Sequence, residues 1–75
     1  MKNNEKKEDI DMIARVISKK GSVRTVESTM DDLKEKYSEN GIQATRQRCW
    51  CCIAAAIRWG YLTLQGDNLI CNRNA

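Results

Sequence analysis

Three of the four cysteines, Cys49, Cys51 and Cys52, fall within four consecutive positions, and the fourth, Cys71, sits near the end of the chain. Thiolates favour zinc, so a metal site is the first chemistry to weigh. On a helix, however, a Cys-x-Cys-Cys run points its sulfurs around more than half of the circumference, and no second cysteine pair completes a zinc knuckle. No metal is therefore expected. Cys49, Cys52 and Cys71 read as small buried hydrophobes, and Cys51 as an exposed thiol open to oxidation or to pairing between molecules. Histidine is absent, which removes the usual general base and the commonest metal ligand. The acids Glu27, Asp31, Asp32 and Glu35 have no charge partner or cleft in view and read as a solvated face. An enzyme is not expected, nor a cofactor or a small-molecule substrate.

Arginine is the second residue type with chemistry to offer. Residues 1–39 carry nine Lys/Arg and nine Asp/Glu, whereas beyond them Arg46, Arg48, Arg58 and Arg73 stand against Asp67 alone and supply the whole net charge of +3. A guanidinium forks two bonds onto a phosphate or a carboxylate. Arg46 and Arg48, placed in the first turn of a helix, oppose its dipole, which suggests that a partner uses them.

These groups need a scaffold, and the 75 residues allow one domain. Residues 1–8 (MKNNEKKE) read as a disordered leader, 9–72 as the domain and 73–75 as a polar tail. Ile10, Ile13, Ala14 and Ile17 form the stripe of a first helix from about Asp9, with Lys19 and Lys20 in its last turn and Gly21 just beyond it. Ser22 to Thr25 reads as a short extended segment. A second helix starts near Val26, with Met30, Leu33 and Tyr37 on its apolar side, and closes at Ser38-Glu39-Asn40-Gly41. Ile42 is the expected apolar plug of the following turn. Thr45 is the expected N-cap of a third helix running to about Trp59. In that helix Cys49, Cys52, Ile53 and Ala56 point inward, Arg48, Cys51, Ala55 and Arg58 form the opposite face, and Trp50 and Ile57 lie on a flank. Trp59 is expected in the core. Residues 61–64 and 69–72 read as a hairpin around Gln65-Gly66-Asp67-Asn68, with Leu62, Leu64 and either Ile70 or Cys71 facing the helices.

No apolar run approaches the ~20 residues of a membrane span, and residues 1–9 lack the apolar core of a signal peptide. The expectation is a cytoplasmic protein in a reducing compartment, with no membrane partner.

The order helix, strand, helix, turn, helix, hairpin resembles a winged helix-turn-helix domain. The likeness is greatest over Gly41 to Cys71, where GIQATRQRCWCCIAAAIRWGYLTLQGDNLIC has the rhythm of a recognition helix, its Gly-aromatic exit and a wing. The resemblance implies an α+β, mainly α fold of three helices with a C-terminal β-hairpin wing. It also implies a protein that binds duplex DNA as a transcriptional regulator or accessory factor, as a homodimer. On this reading Thr45, Arg46, Gln47 and Arg48 begin the groove-facing helix. Arg48 would fork onto guanine, Gln47 onto adenine, and Arg46 onto backbone, while Thr45 would help a helix N-terminus hold a phosphate. Arg58 would reach the edge of a duplex, and Lys19, Lys20 and Arg24 would contact phosphates. Two features depart from that pattern. The turn at Gln65–Asn68 carries an acid and no cation, and Trp50, Cys51, Ala55 and Ile57 make the third helix apolar for a DNA-facing surface. The alternative is therefore a protein-interaction module that uses the Trp50, Cys51, Ala55 and Ile57 side.

Overall fold

A computed structural model describes residues 2–72. The chain forms helix α1 (Lys2–Ala14), strand β1 (Val23–Thr25), helix α2 (Val26–Glu39), helix α3 (Arg46–Arg58), and strands β2 (Leu62–Gln65) and β3 (Asn68–Cys71). This is a helix-rich α+β arrangement of three helices and one antiparallel sheet in the order β1-β3-β2, compatible with a winged-helix layout. The tail 73–75 lies outside the described residues.

Each element follows from local chemistry with a few tertiary corrections. Thr25 ends β1 and caps α2 at once, its extended backbone leaving the hydroxyl to accept the Ser28 N–H at 3.1 Å, the usual geometry of a threonine N-cap. The Val26 N–H donates to the Asp67 carbonyl at 2.9 Å, which ties the start of α2 to the tip of the hairpin. Gly66 and Asp67 form a two-residue turn between the paired Gln65 and Asn68. Gly66 has φ 60°, while Asp67 stays at negative φ. That is the pattern of the type II′ hairpin turn, which glycine permits at its first central position.

The core takes a large aliphatic side chain from all but one element: Ile13, Leu33, Ile53, Leu62 and Leu69 are fully buried. Each contributes about 1.5–3 kcal/mol of transfer free energy. Thr29 is the one buried polar residue among those described, and its hydroxyl donates to the Thr25 carbonyl at 2.8 Å. On the sheet, Leu62, Leu69 and Cys71 face the helices, and β1 contributes Arg24, which stands opposite Leu69.

Several expectations need correction. Helix α1 includes Lys2 to Glu8, the segment read as a disordered leader; it is rich in good helix formers and holds no Gly or Pro. The same helix stops at Ala14, so Lys19 and Lys20 lie in the following loop rather than in its last turn. The reason is tertiary. The Val16 carbonyl, which a continuing helix would have engaged, is met instead by Arg24 Nη1 at 3.0 Å. The Ile17 carbonyl is met by the Tyr61 hydroxyl at 3.2 Å. Both carbonyls just beyond the helix end are therefore satisfied from elsewhere in the fold. Ile42 is 47 % exposed, and Ala44 fills the turn's place in the core. Trp59 is 44 % exposed. Gly60, at φ 81°, redirects the chain there and sends Tyr61 inward in its stead, a backbone conformation that glycine adopts without steric cost. Leu64, expected against the helices, is 41 % exposed beside the hairpin tip, and Leu69 takes the core position.

Candidate nucleic-acid interface

The third helix begins as its sequence requires. Thr45 is the N-cap, with extended backbone and a hydroxyl accepting the Arg48 N–H at 3.1 Å. That bond satisfies one orphan N–H and leaves the others of the first turn facing outward. Cys49, Cys52, Ile53 and Ala56 point into the core. Ala55 is buried as well, at 3 % exposure, against the expectation that it stood on the open face. The neighbouring helix explains the difference. Helix α1 lies along the flank that holds Cys52, whose thiol donates to the Asp9 carbonyl at 3.1 Å, and Ala55 shares that flank three residues on. Ile57 is partly buried against the core. The outward face of α3 is thus Gln47, Trp50, Cys51 and Arg58, all exposed, with Ala54 half-buried between them.

Both first-turn arginines have acidic neighbours from other helices, which the local sequence did not reveal. Arg46 Nη2 lies 3.0 Å from Glu27 Oε2, with both groups well exposed. Arg48 lies over the Tyr37 ring, 5.4 Å from its centroid, with Nε 3.5 Å from the hydroxyl and Nη2 3.9 Å from Asp9 Oδ1. The exposed Arg46–Glu27 pair contributes only about 0–1 kcal/mol, so a phosphate can displace Glu27 at small cost, whereas the Asp9 side chain is only 18 % exposed. Burial pushes the Tyr37 hydroxyl up to about 12, against the pull of Arg48, so the ring stays neutral beneath the guanidinium.

Arg24 is placed differently from its expected role as a phosphate contact. Its Nη1 donates to the Val16 carbonyl, and its Nη2 lies 2.7 Å from Ser28 Oγ and pairs with Asp32. The guanidinium clamps the loop after α1 to α2 and is committed inside the fold. Lys19, Lys20 and Arg58 are exposed.

The cysteines are mutually unbonded, with Cys49, Cys52 and Cys71 buried and Cys51 exposed. Burial raises the Cys49 thiol and pushes that of Cys52 up to about 12. Neither therefore supplies a thiolate at neutral pH. Among the described residues no group of three or more His, Cys, Asp or Glu could hold a metal ion. Among the described residues no helix is long and apolar enough to cross a membrane.

A second feature of this side was missed from sequence. Trp50, 40 % exposed, lines a groove with Val26, Glu27, Leu64 and Asp67. Leu64 and Asp67 were read only as hairpin residues; the acid at the turn was the one local sign of an unusual surface. No family model, curated protein or solved structure matches the chain.

Proposed function

We propose that this chain is a winged-helix DNA-binding protein, a transcriptional regulator or accessory factor, that engages duplex DNA through the start of α3. One observation carries the reading. The outward face of α3 is left open by every other element, and its first turn offers Arg46, Gln47 and Arg48 beside free backbone N–H groups. The element order and the β1-β3-β2 sheet support it, since a winged helix arranges its recognition helix and wing in this way. Arg48 and Gln47 then read base edges, Arg46 and the capped helix start hold phosphates, and Lys19 and Lys20 add positive charge at the periphery.

The test is fluorescence anisotropy of a random duplex titrated at low and near-physiological salt, with Arg46→Ala/Arg48→Ala beside the wild type. Affinity should fall steeply with salt; losing the Arg46 phosphate contact should reduce the log–log slope by about 1, and losing Arg48 should weaken binding further. No binding at low salt removes the DNA reading.

A protein-interaction module is the second reading, favoured by one specific observation: the groove beside Trp50 joins apolar side chains to the carboxylates of Glu27 and Asp67. Arg46 pairs with Glu27, so the Asp67 carboxylate is the charge there that repels phosphate and suits a cationic partner.

A further inference from the structure

The groove beside the hairpin tip, about 450 Å³, joins Val26, Trp50 and Leu64 to the carboxylates of Glu27 and Asp67. Such a lining calls for an apolar or aromatic side chain accompanied by a cation. The chain itself exposes that combination at the far end of α3, where Arg58 is followed directly by the exposed Trp59. Among the described residues neither Arg58 nor Asp67 enters an ion pair.

We infer that Arg58 and Trp59 of one copy seat in the Trp50 groove of a second copy, so that the protein self-associates head to tail. Two arguments select this occupant. Pairing groove against groove on a two-fold axis would set Asp67, which enters no ion pair among the described residues, against its own counterpart, a like-charge contact that opposes association. Seating Arg58 and Trp59 there brings opposite charge and covers both exposed tryptophans in one contact. The geometry then sets the symmetry. Trp50 and Trp59 are nine residues apart. At about 100° and about 1.5 Å per residue, that spacing places them on opposite flanks of α3, about 13 Å apart along its axis. With Trp59 on the flank opposite the groove, and Arg58 beside it on the outward face, the contact is heterologous and repeats along a chain of copies or closes into a ring. The inference goes beyond the DNA reading and stands without it, and its test contains no DNA.

The test is sedimentation velocity under reducing conditions, which removes any Cys51 disulfide, at concentrations up to about 1 mM, where weak association is still readable. Wild type should form concentration-dependent species that weaken with salt. Arg58→Glu/Trp59→Ser and Leu64→Lys/Asp67→Arg should each sediment as monomers, with association weakened at least about thirtyfold, the loss typical of a hot-spot tryptophan or its pocket. All four positions are exposed, so far-UV circular dichroism should be unchanged; if the second variant fails to fold, Asp67→Arg alone replaces it. An equimolar mixture of the two variants holds one intact groove and one intact Arg-Trp pair, and should give a one-to-one heterodimer and nothing larger. A monomeric wild type at the highest concentration, variants that associate as wild type does, or a mixture that stays monomeric would overturn the inference.

Discussion

Replacing Arg24 by alanine removes a guanidinium that serves three groups at once: the Val16 carbonyl at 3.0 Å, Ser28 Oγ at 2.7 Å and the Asp32 carboxylate. The cost can be worked from these contacts. A hydrogen bond from a charged donor to a carbonyl left open by the end of α1 is worth about 1.5–3 kcal/mol. The ion pair adds little, about 0–1 kcal/mol, because 41 % of the Asp32 side chain is exposed and solvent screens it. Water admitted by the truncation recovers part of the lost bonding, which leaves a net loss of about 2–3 kcal/mol. A domain of this size shifts its midpoint by about 4–8 °C per kcal/mol, so a thermal melt followed by circular dichroism should move down by about 10–20 °C. Arg24→Lys keeps the charge but not the fork, and should fall between alanine and wild type. A melt of Arg24→Ala within experimental error of wild type would refute the reasoning. Arg24 would then be a solvated surface cation, and a phosphate contact by Arg24 would again be open.

Three further outcomes follow from the packing. Tyr61→Phe deletes the hydroxyl that meets the Ile17 carbonyl at 3.2 Å inside the fold. Leaving that carbonyl only the long bond from the Cys71 thiol at 3.9 Å should cost about 1–3 kcal/mol in urea unfolding, with no change of slope. In the native state a thiol reagent should modify Cys51 alone, since Cys49, Cys52 and Cys71 are buried, and denaturant should release the other three; four equally fast thiols would contradict the packing. Stability should fall in alkali. Burial raises the folded-state values of Cys52 and Tyr37 to about 12 from ordinary values of 9.0 and 10.0, so the unfolded chain loses these protons first. Their contribution is complete below about pH 9 and is lost as pH climbs toward about 12. Melts across that range should show the decline, and Cys52→Ala should delay its onset; a flat profile in wild type would count against the burial of both groups.

Much of the fold was legible in the residues because the signals were local. The N-cap hydroxyl of Thr45, the inward spacing of Cys49, Cys52, Ile53 and Ala56, and the glycine-led turn between two β-type runs each act within a few positions, and each is realised. The start of α2 was read correctly, although its cap, Thr25, was taken only as part of a strand. The candidate site was legible in part: Arg46, Gln47 and Arg48 do stand at the exposed start of α3.

What failed depended on neighbours that are distant in sequence. Periodicity assigns a helix an inside and an outside, but it does not say which flank a second helix covers, so Ala55 was placed outward until α1 lay over the Cys52 flank. A run of helix-compatible residues does not reveal that carbonyls 16 and 17 will find donors in Arg24 and Tyr61, which is what lets α1 end at Ala14. Charge counting assigned Arg46 and Arg48 no acidic neighbour, whereas packing brought Glu27 and Asp9 to them from α2 and α1. Capping, turn chemistry and the apolar stripes are short-range and were determined by the sequence itself. Only the tertiary structure could decide which carbonyls, flanks and charges meet, because each of those contacts joins residues that chain order keeps apart.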